Sequence, residues 1–430
     1  MAMSLSESLP ATWLDHINDT SARTIIDYLT AQGTFRFPSL ATGLFSAAAF
    51  ESDGTVTGYG SVWTRDAVHI SHALWVLGER ERAWAAVEAL SAFYIRHRRR
   101  FIDCIDNPGL AADPMARPHI RFNGETLGEL PEKWSHAQND ALGYWLWITC
   151  RMILAEDMEL SRDLADTLTL LAEFWAAIRF WEDEDSGHWE EARKVEASSI
   201  GAAVAGLKAF RNVIEVHGEY FPNREYLLRN VESLLAEGQR ALHRILPNEC
   251  IDGDDTQRRA HDAALLFLIY PLEVVSGPMA EQIISNVKAH LMGPIGIRRY
   301  NGDSYWCANY KTLLSEEVRT TDFSDDMSAR DKLLIPGTEA QWCIFDPILS
   351  IIHARRYLEM GDSLDREQQL VHLRRSLAQL TNATSRFGAY RCPESYYLEG
   401  ESWGPNDITP LLWTQANLRL ALHWLQQTAG

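Results

Sequence analysis

Apolar residues recur every three to four positions through most of this chain, and alternating apolar–polar runs bounded by hairpin turns are scarce, so the chain reads as all-α. The pattern predicts twelve helices, near residues 18–32, 65–78, 80–97, 137–155, 160–180, 197–217, 224–245, 258–275, 280–292, 338–358, 364–381 and 407–427. Their links alternate in length. After the even-numbered helices the links are short, whereas after the odd-numbered ones they run from about 12 to 45 residues, against the usual 2–8 of simple bundles. Short links tie neighbours into antiparallel hairpins, and long ones gather at one face. Six hairpins imply an (α/α)6 toroid, one ring of helices inside another. The even helices should form the inner ring, because they are apolar almost all round: Ser198–Phe210 is rich in Ala, Gly, Val and Leu, whereas Asn223–Ile245 keeps a charged face. No linker or low-complexity tract marks a second unit, so residues 1–430 are expected to form a single toroid domain, with 1–17 a loose N-terminal segment.

Composition narrows the function more than the fold. A formal charge of −19 offers nothing to a phosphate backbone, and no apolar run could span a bilayer, so neither nucleic acid nor membrane is an expected partner. Met1–Thr20 lacks the basic start and apolar stretch of a secretory leader, which implies a cytoplasmic protein. Six scattered cysteines with no C-x-x-C pair read as thiols rather than disulfides or a zinc site, and nothing calls for a metal or a cofactor. Fifteen tryptophans change the picture. Several (Trp63, Trp134, Trp189, Trp403) stand in polar stretches, where an indole face suits a sugar ring, although large cores also use tryptophan.

Each long loop ends at the start of an inner helix, so its residues should converge on the mouth of the ring. The polar and aromatic clusters fall there: Tyr59 to Asp66, Trp134 to Asp140, Gly187 to Glu191, Gly296 to Tyr300 and Cys392 to Tyr397. Trp63-Thr64-Arg65-Asp66 alone could be an Arg–Asp pair capping a helix; the clusters together supply stacking rings, a hydrogen-bonding clamp and two separated acidic loops. Glycoside hydrolysis needs two carboxyls flanking one bond, and Glu190 and Glu394 are the candidates. Glu191 beside it and Trp189 before it should both raise the Glu190 carboxyl, which suits an acid. Glu394, among tyrosines, suits a base. Glu190-Glu191 is equally the acidic start of a solvated helix. Arg96 to Arg100 reads as a basic helix end. The long loop at 303–337, with its mixed charges at 315–319 and acids at 322–326, reads as a solvated lid or edge rather than a calcium site.

The ordered series Trp63-Thr64-Arg65-Asp66, Trp134 with Gln138 and Asp140, Trp189-Glu190-Glu191, Asp262 to Leu266, Arg299-Tyr300 and Glu394 resembles the glucoamylase-type glycoside hydrolases, family 15, from about residue 40 to the C-terminus. Glu339 to Phe345, and the stretches around Pro393 and Pro410, look closer to the regulatory α and β subunits of phosphorylase kinase. The resemblance implies an (α/α)6 barrel that inverts the anomeric centre and releases glucose from the non-reducing ends of α-glucans. It makes Glu190 the general acid and Glu394 the base, with Glu399 and Glu401 as fallbacks. It matches Arg65 and Asp66 to a clamp on the terminal glucose, Trp63 and Trp134 to walls, Glu191 to a substrate-contacting carboxylate and Arg299 to a sugar-binding arginine. There is no room for a β-sandwich before Trp63 and no starch-binding tail, so a short oligosaccharide is the expected partner. The other readings are a sugar-binding regulatory module, and a phosphorylase or lyase in which Arg298 and Arg299 hold an anion.

Overall fold

The structure, a computed structural model, describes residues 19–48, 59–253 and 257–429. The expected N-terminal segment 1–17 lies outside them. Fifteen helices follow in order: α1 (Asp19–Ala31), α2 (Thr64–Val76), α3 (Arg80–Arg96), α4 (Arg99–Asp106), α5 (Asn139–Leu154), α6 (Arg162–Ile178), α7 (Ala197–Val216), α8 (Arg224–Ile245), α9 (Leu266–Ile269), α10 (Gly277–Asn286), α11 (Tyr310–Leu313), α12 (Ser328–Asp331), α13 (Phe345–Met360), α14 (Ser363–Ala378) and α15 (Leu412–Thr428).

The inner ring is closed. α2 packs on α5, α5 on α7, α7 on α9, α9 on α13, α13 on α15, and α15 back on α2. Every residue from Ala197 to Leu207 of α7 and from Asn139 to Cys150 of α5 is buried, as expected of helices with neighbours on all sides. These two lie close: a Cβ at Gly143 would sit 2.5 Å from the Ala202 carbonyl carbon, so only glycine permits this approach. The outer helix α8 instead buries a stripe, Leu227, Val231, Leu234, Leu235, Gly238, Ala241, Leu242 and Ile245, and leaves its charged face to water. The turns after α2, α5, α7, α9 and α13 are short, and the long loops run to the opposite end.

The eighth predicted helix does not extend over 258–275. A 3-10 turn at Ala263–Leu265, capped by the Asp262 carboxylate, leads into α9, which stops at Tyr270 because Pro271 has no N–H and forces the residue before it into extended backbone. Arg259 and Asp262 are thereby freed from the helix and pair with each other, Arg259 also with Glu191 and Asp262 with Trp189. The basic run at 96–100 spans the α3–α4 junction and is taken up by partners, with Arg98 on Asp163 and Arg100 on Glu129. Two small antiparallel sheets brace the mouth: β1 (Val62–Trp63), β2 (Arg121–Asn123) and β3 (Gly128–Glu129), then β4 (Gln341–Trp342), β5 (Ser395–Glu399) and β6 (Ser402–Pro405). Trp63 pairs with Arg121, and Trp342 with Ser395. Strands this short carry too few residues for a period of two to be visible in sequence.

Candidate active site

The long loops converge on one hollow of about 780 Å³, its open mouth included, lined by Tyr59, Trp63, Arg65, Asp66, Trp134, Glu190, Arg299, Tyr305, Trp342, Glu394 and Trp413 among others. Of the eight residues singled out in sequence, seven line it. Glu191 does not.

Glu190 closes a 3-10 turn, Gly187–Trp189, and sits in left-handed backbone at φ +59°. A non-glycine residue there costs roughly 1 kcal/mol or more, so the surrounding turn must hold it. It does: a Cβ at Gly187 would fall 1.5 Å from a Glu196 carboxylate oxygen, the buried His188 ring lies between Tyr144 and Ser198, and the Trp189 indole N–H donates to Asp262 at 3.0 Å. The Glu190 side chain keeps 19% of its exposure and meets Arg65 at 3.4 Å, with Gln138 also beside it. Burial lifts its pKa above the ordinary value against the pull of Arg65. The expected repulsion from Glu191 is not among the causes.

Glu394 lines the same hollow. Tyr59 donates to one carboxylate oxygen at 2.9 Å and Asn406 to the other at 2.6 Å, so both donors favour the charged form. Burial outweighs them and pushes the carboxyl up to about 7. The fallback Glu399 accepts from Tyr397 in a separate groove beside β6, and Glu401 is exposed on the hairpin turn.

Arg65 is fixed by Asp140 at 2.6 Å and by Gln138 at 3.1 Å, both from the next inner helix and its approach. Burial works against the Asp140 charge, but Arg65 holds the carboxyl below its usual range. Asp66, next in sequence, also lines the hollow, and burial raises it to about 7 despite Arg65. Trp63 and Trp134 meet edge to face at 5.9 Å, with the Arg121 guanidinium 4.2 Å from the Trp134 ring. This wall is rigid.

Glu191 is held behind the hollow. Arg330 donates to it at 2.5 Å, Arg299 and Arg259 each at 3.1 Å, and the Tyr300 hydroxyl at 2.6 Å. Burial opposes the charge, yet three arginines hold the carboxyl far below its usual range. The left-handed turn at Glu190 sends the two neighbouring glutamates to different places: one to the hollow, the other to a cationic cage that orients Arg299. Arg299 lines the hollow while gripping Asp303 through two hydrogen bonds of 2.6 Å.

Sequence reasoning missed Arg330, Tyr305 and the wall Thr320-Thr321-Asp322-Phe323, all from the loop read as a solvated lid or edge. α12 buries Arg330 between Glu191 and Ser304, and Lys133 pairs with Asp325, so the loop is pinned at two points close together in sequence. Among the described residues, no group of three or more His, Cys, Asp or Glu could hold a metal ion, and no helix is long and apolar enough to cross a membrane. The six cysteines are free and buried.

A closed double ring of helices with such a mouth is the architecture of a carbohydrate-cleaving toroid, a glycoside hydrolase. The sequence pattern of glycosyl hydrolases family 15 matches residues 28–346, and the chain belongs to that family. Among solved structures it resembles a glycosidase variant in complex with glucose, at 18% identity and a TM-score of 0.62 over 97% of this chain and 99% of that one. It also resembles the glucoamylase from Saccharomycopsis fibuligera, at 12% identity and a TM-score of 0.61 over 99% of each chain. At these identities the likeness is one of fold. A segment covering 33% of this chain is 31% identical to the uncharacterized lipoprotein YgeQ of Escherichia coli (strain K12), and takes in 60% of that protein's length.

Proposed function

We propose that this glycoside hydrolase is an inverting, exo-acting enzyme that releases β-glucose from the non-reducing end of a short α-linked gluco-oligosaccharide. The observation that carries the reading is that Glu190 and Glu394, distant in sequence, line one hollow in different environments. Glu190, lifted by burial and only loosely held by Arg65, keeps a proton to give to the leaving oxygen. Glu394, oriented by Tyr59 and Asn406, takes a proton from water on the opposite face. That division of labour needs the two carboxyls roughly 6.5–9.5 Å apart, with room for the water between. His188, of the turn before α7, and Trp413, of the inner helix α15, line the hollow, so that one chain end enters and Arg65 and Asp66 grip its hydroxyls. The clamp is charge-assisted, which favours a polyhydroxylated end over an apolar one.

One feature favours a second reading, a sugar-binding module without turnover like the phosphorylase kinase subunits: Glu394 at about 7 is half protonated at neutrality and then a poor base. Exchanging Glu190→Gln or Glu394→Gln decides between them. An enzyme loses turnover of its best substrate in a panel of α-linked disaccharides by about a thousandfold or more while still binding the sugar by calorimetry. A wild type that binds sugar and releases no glucose from any of them is the second kind of protein.

A further inference from the structure

The lid carries a fourth carboxylate into the hollow, beside Asp66, Glu190 and Glu394. Asp322 lines it, its side chain is 4% exposed, and its Oδ2 atom is buried with no hydrogen-bond partner. Its other oxygen accepts from the Ser324 backbone N–H at 2.9 Å, which fixes the carboxylate plane. Lys133 stands 3.8 Å from Oδ2, close enough to favour the charge and too far for a hydrogen bond. A buried carboxylate oxygen without a donor, on a residue that lines a cavity, is costly unless a small movement lets a ligand supply that donor. Glu191, which the family resemblance makes a substrate contact, has no such vacancy: both its oxygens are occupied by arginines and Tyr300.

We infer that Asp322 accepts a hydrogen bond from a hydroxyl of the sugar on the leaving side of the scissile bond, and so makes the lid the reader of the leaving group. The inference rests on the hydrolase reading above. Asp322 comes from the loop that covers the mouth, whereas the clamp of Arg65 and Asp66 comes from the start of α2. A terminal glucose held by that clamp leaves the next sugar toward the lid, beside Thr320, Thr321 and Phe323. The negative charge of Asp322 is felt at Glu190, where after burial it adds to the upward shift of that carboxyl. A carboxylate near the leaving oxygen thus binds the sugar and helps its acid keep a proton.

The test compares two substrates with the same glucose but different leaving groups: the best disaccharide of the α-linked panel, and p-nitrophenyl α-glucoside, whose leaving group has no hydroxyl to donate. Asp322→Ala should lower kcat/KM for the disaccharide by about ten- to a hundredfold and for the aryl glucoside by less than about threefold. Asp322→Asn retains an accepting oxygen and should lose less, about three- to tenfold on the disaccharide; being isosteric, it carries the comparison if the alanine variant does not fold. Equal losses on both substrates would overturn the inference, because Asp322 would then act through the fold; a loss confined to the disaccharide but accounted for by a downward move of the Glu190 limb of the pH profile would overturn it too, because Asp322 would then act through Glu190 alone. No loss on either would overturn it as well. Release of glucose from neither substrate by the wild type would instead be a failure of the hydrolase reading itself.

Discussion

The toroid has a hollow at each end, and they differ in one respect. The hollow at the base, about 940 Å³, lies where the short turns gather, lined by Trp75, Trp147, Arg151, Lys208 and Glu273 among others. Arg151 sits over both indoles, at 5.6 and 5.4 Å. In size and in its tryptophans and arginine it rivals the mouth. Its carboxylate, Glu273, is exposed to half its surface and paired with Arg355. The mouth instead buries Asp66, Glu394 and the Asp322 side chain, and leaves Glu190 at 19% exposure. Tryptophan and arginine in a concavity therefore do not mark the reactive end; carboxyls held against their solvation preference do. Placing them there requires long loops, and the alternation of link lengths puts all of those at one end.

The comparison can be broken from either side. Asp66→Ala should reduce kcat/KM on the best disaccharide by about a hundredfold or more, because a clamp on sugar hydroxyls is lost, whereas Arg151→Ala at the base should change it less than about twofold. Steady-state kinetics of the two variants, side by side, decides it. Trp134→Ala should cost about tenfold, chiefly in KM, by removing one wall. Trp147→Ala should leave kcat/KM unchanged and instead lower stability by about 3–5 kcal/mol, visible in urea denaturation, since that ring is buried structure.

Acidity offers a finer test. Glu394 must be charged to act as base, and with its carboxyl near 7, kcat/KM should fall as pH drops through about 7. Asn406→Ala removes a donor to the charged form, so that limb of the pH profile should move up, by roughly half a unit to one unit. The smallest effect is on stability. A folded-state pKa raised from 4.5 to about 7 means that the stability Glu394 contributes is fully present below about 4.5 and lost as pH rises through about 7. Glu394→Gln should then raise the unfolding temperature by about 2 °C at pH 8 and by less at pH 5, in paired calorimetric scans.

Much of this architecture was legible because helical periodicity and link length are local properties. Each of the twelve ring helices overlaps its predicted segment, although the ends differ and α2, α10, α13, α14 and α15 run past the predicted bounds; the eighth shrinks because Pro271 outweighs the apolar pattern on both sides of it. The hollow was legible to the extent that its residues sit at the start of an inner helix, as Arg65 does, or on the approach to one, as Trp134 and Glu190 do. Glu191 misleads because adjacency in sequence says nothing about direction once Glu190 takes a left-handed turn. Arg330 and Asp322 carry no signal at all: their loop has no periodicity, and Arg330 meets its partner across 139 positions. The lid's position over the mouth follows from tertiary pairing with Glu191 and Lys133, which no local pattern encodes.

The most direct measurement follows the anomer of the first glucose set free from an α-glucoside, by proton NMR before mutarotation scrambles it. Opposed carboxyls with a water between them predict the β anomer at the earliest times. A first product in the α form would mean retention, and would contradict the roles given to Glu190 and Glu394.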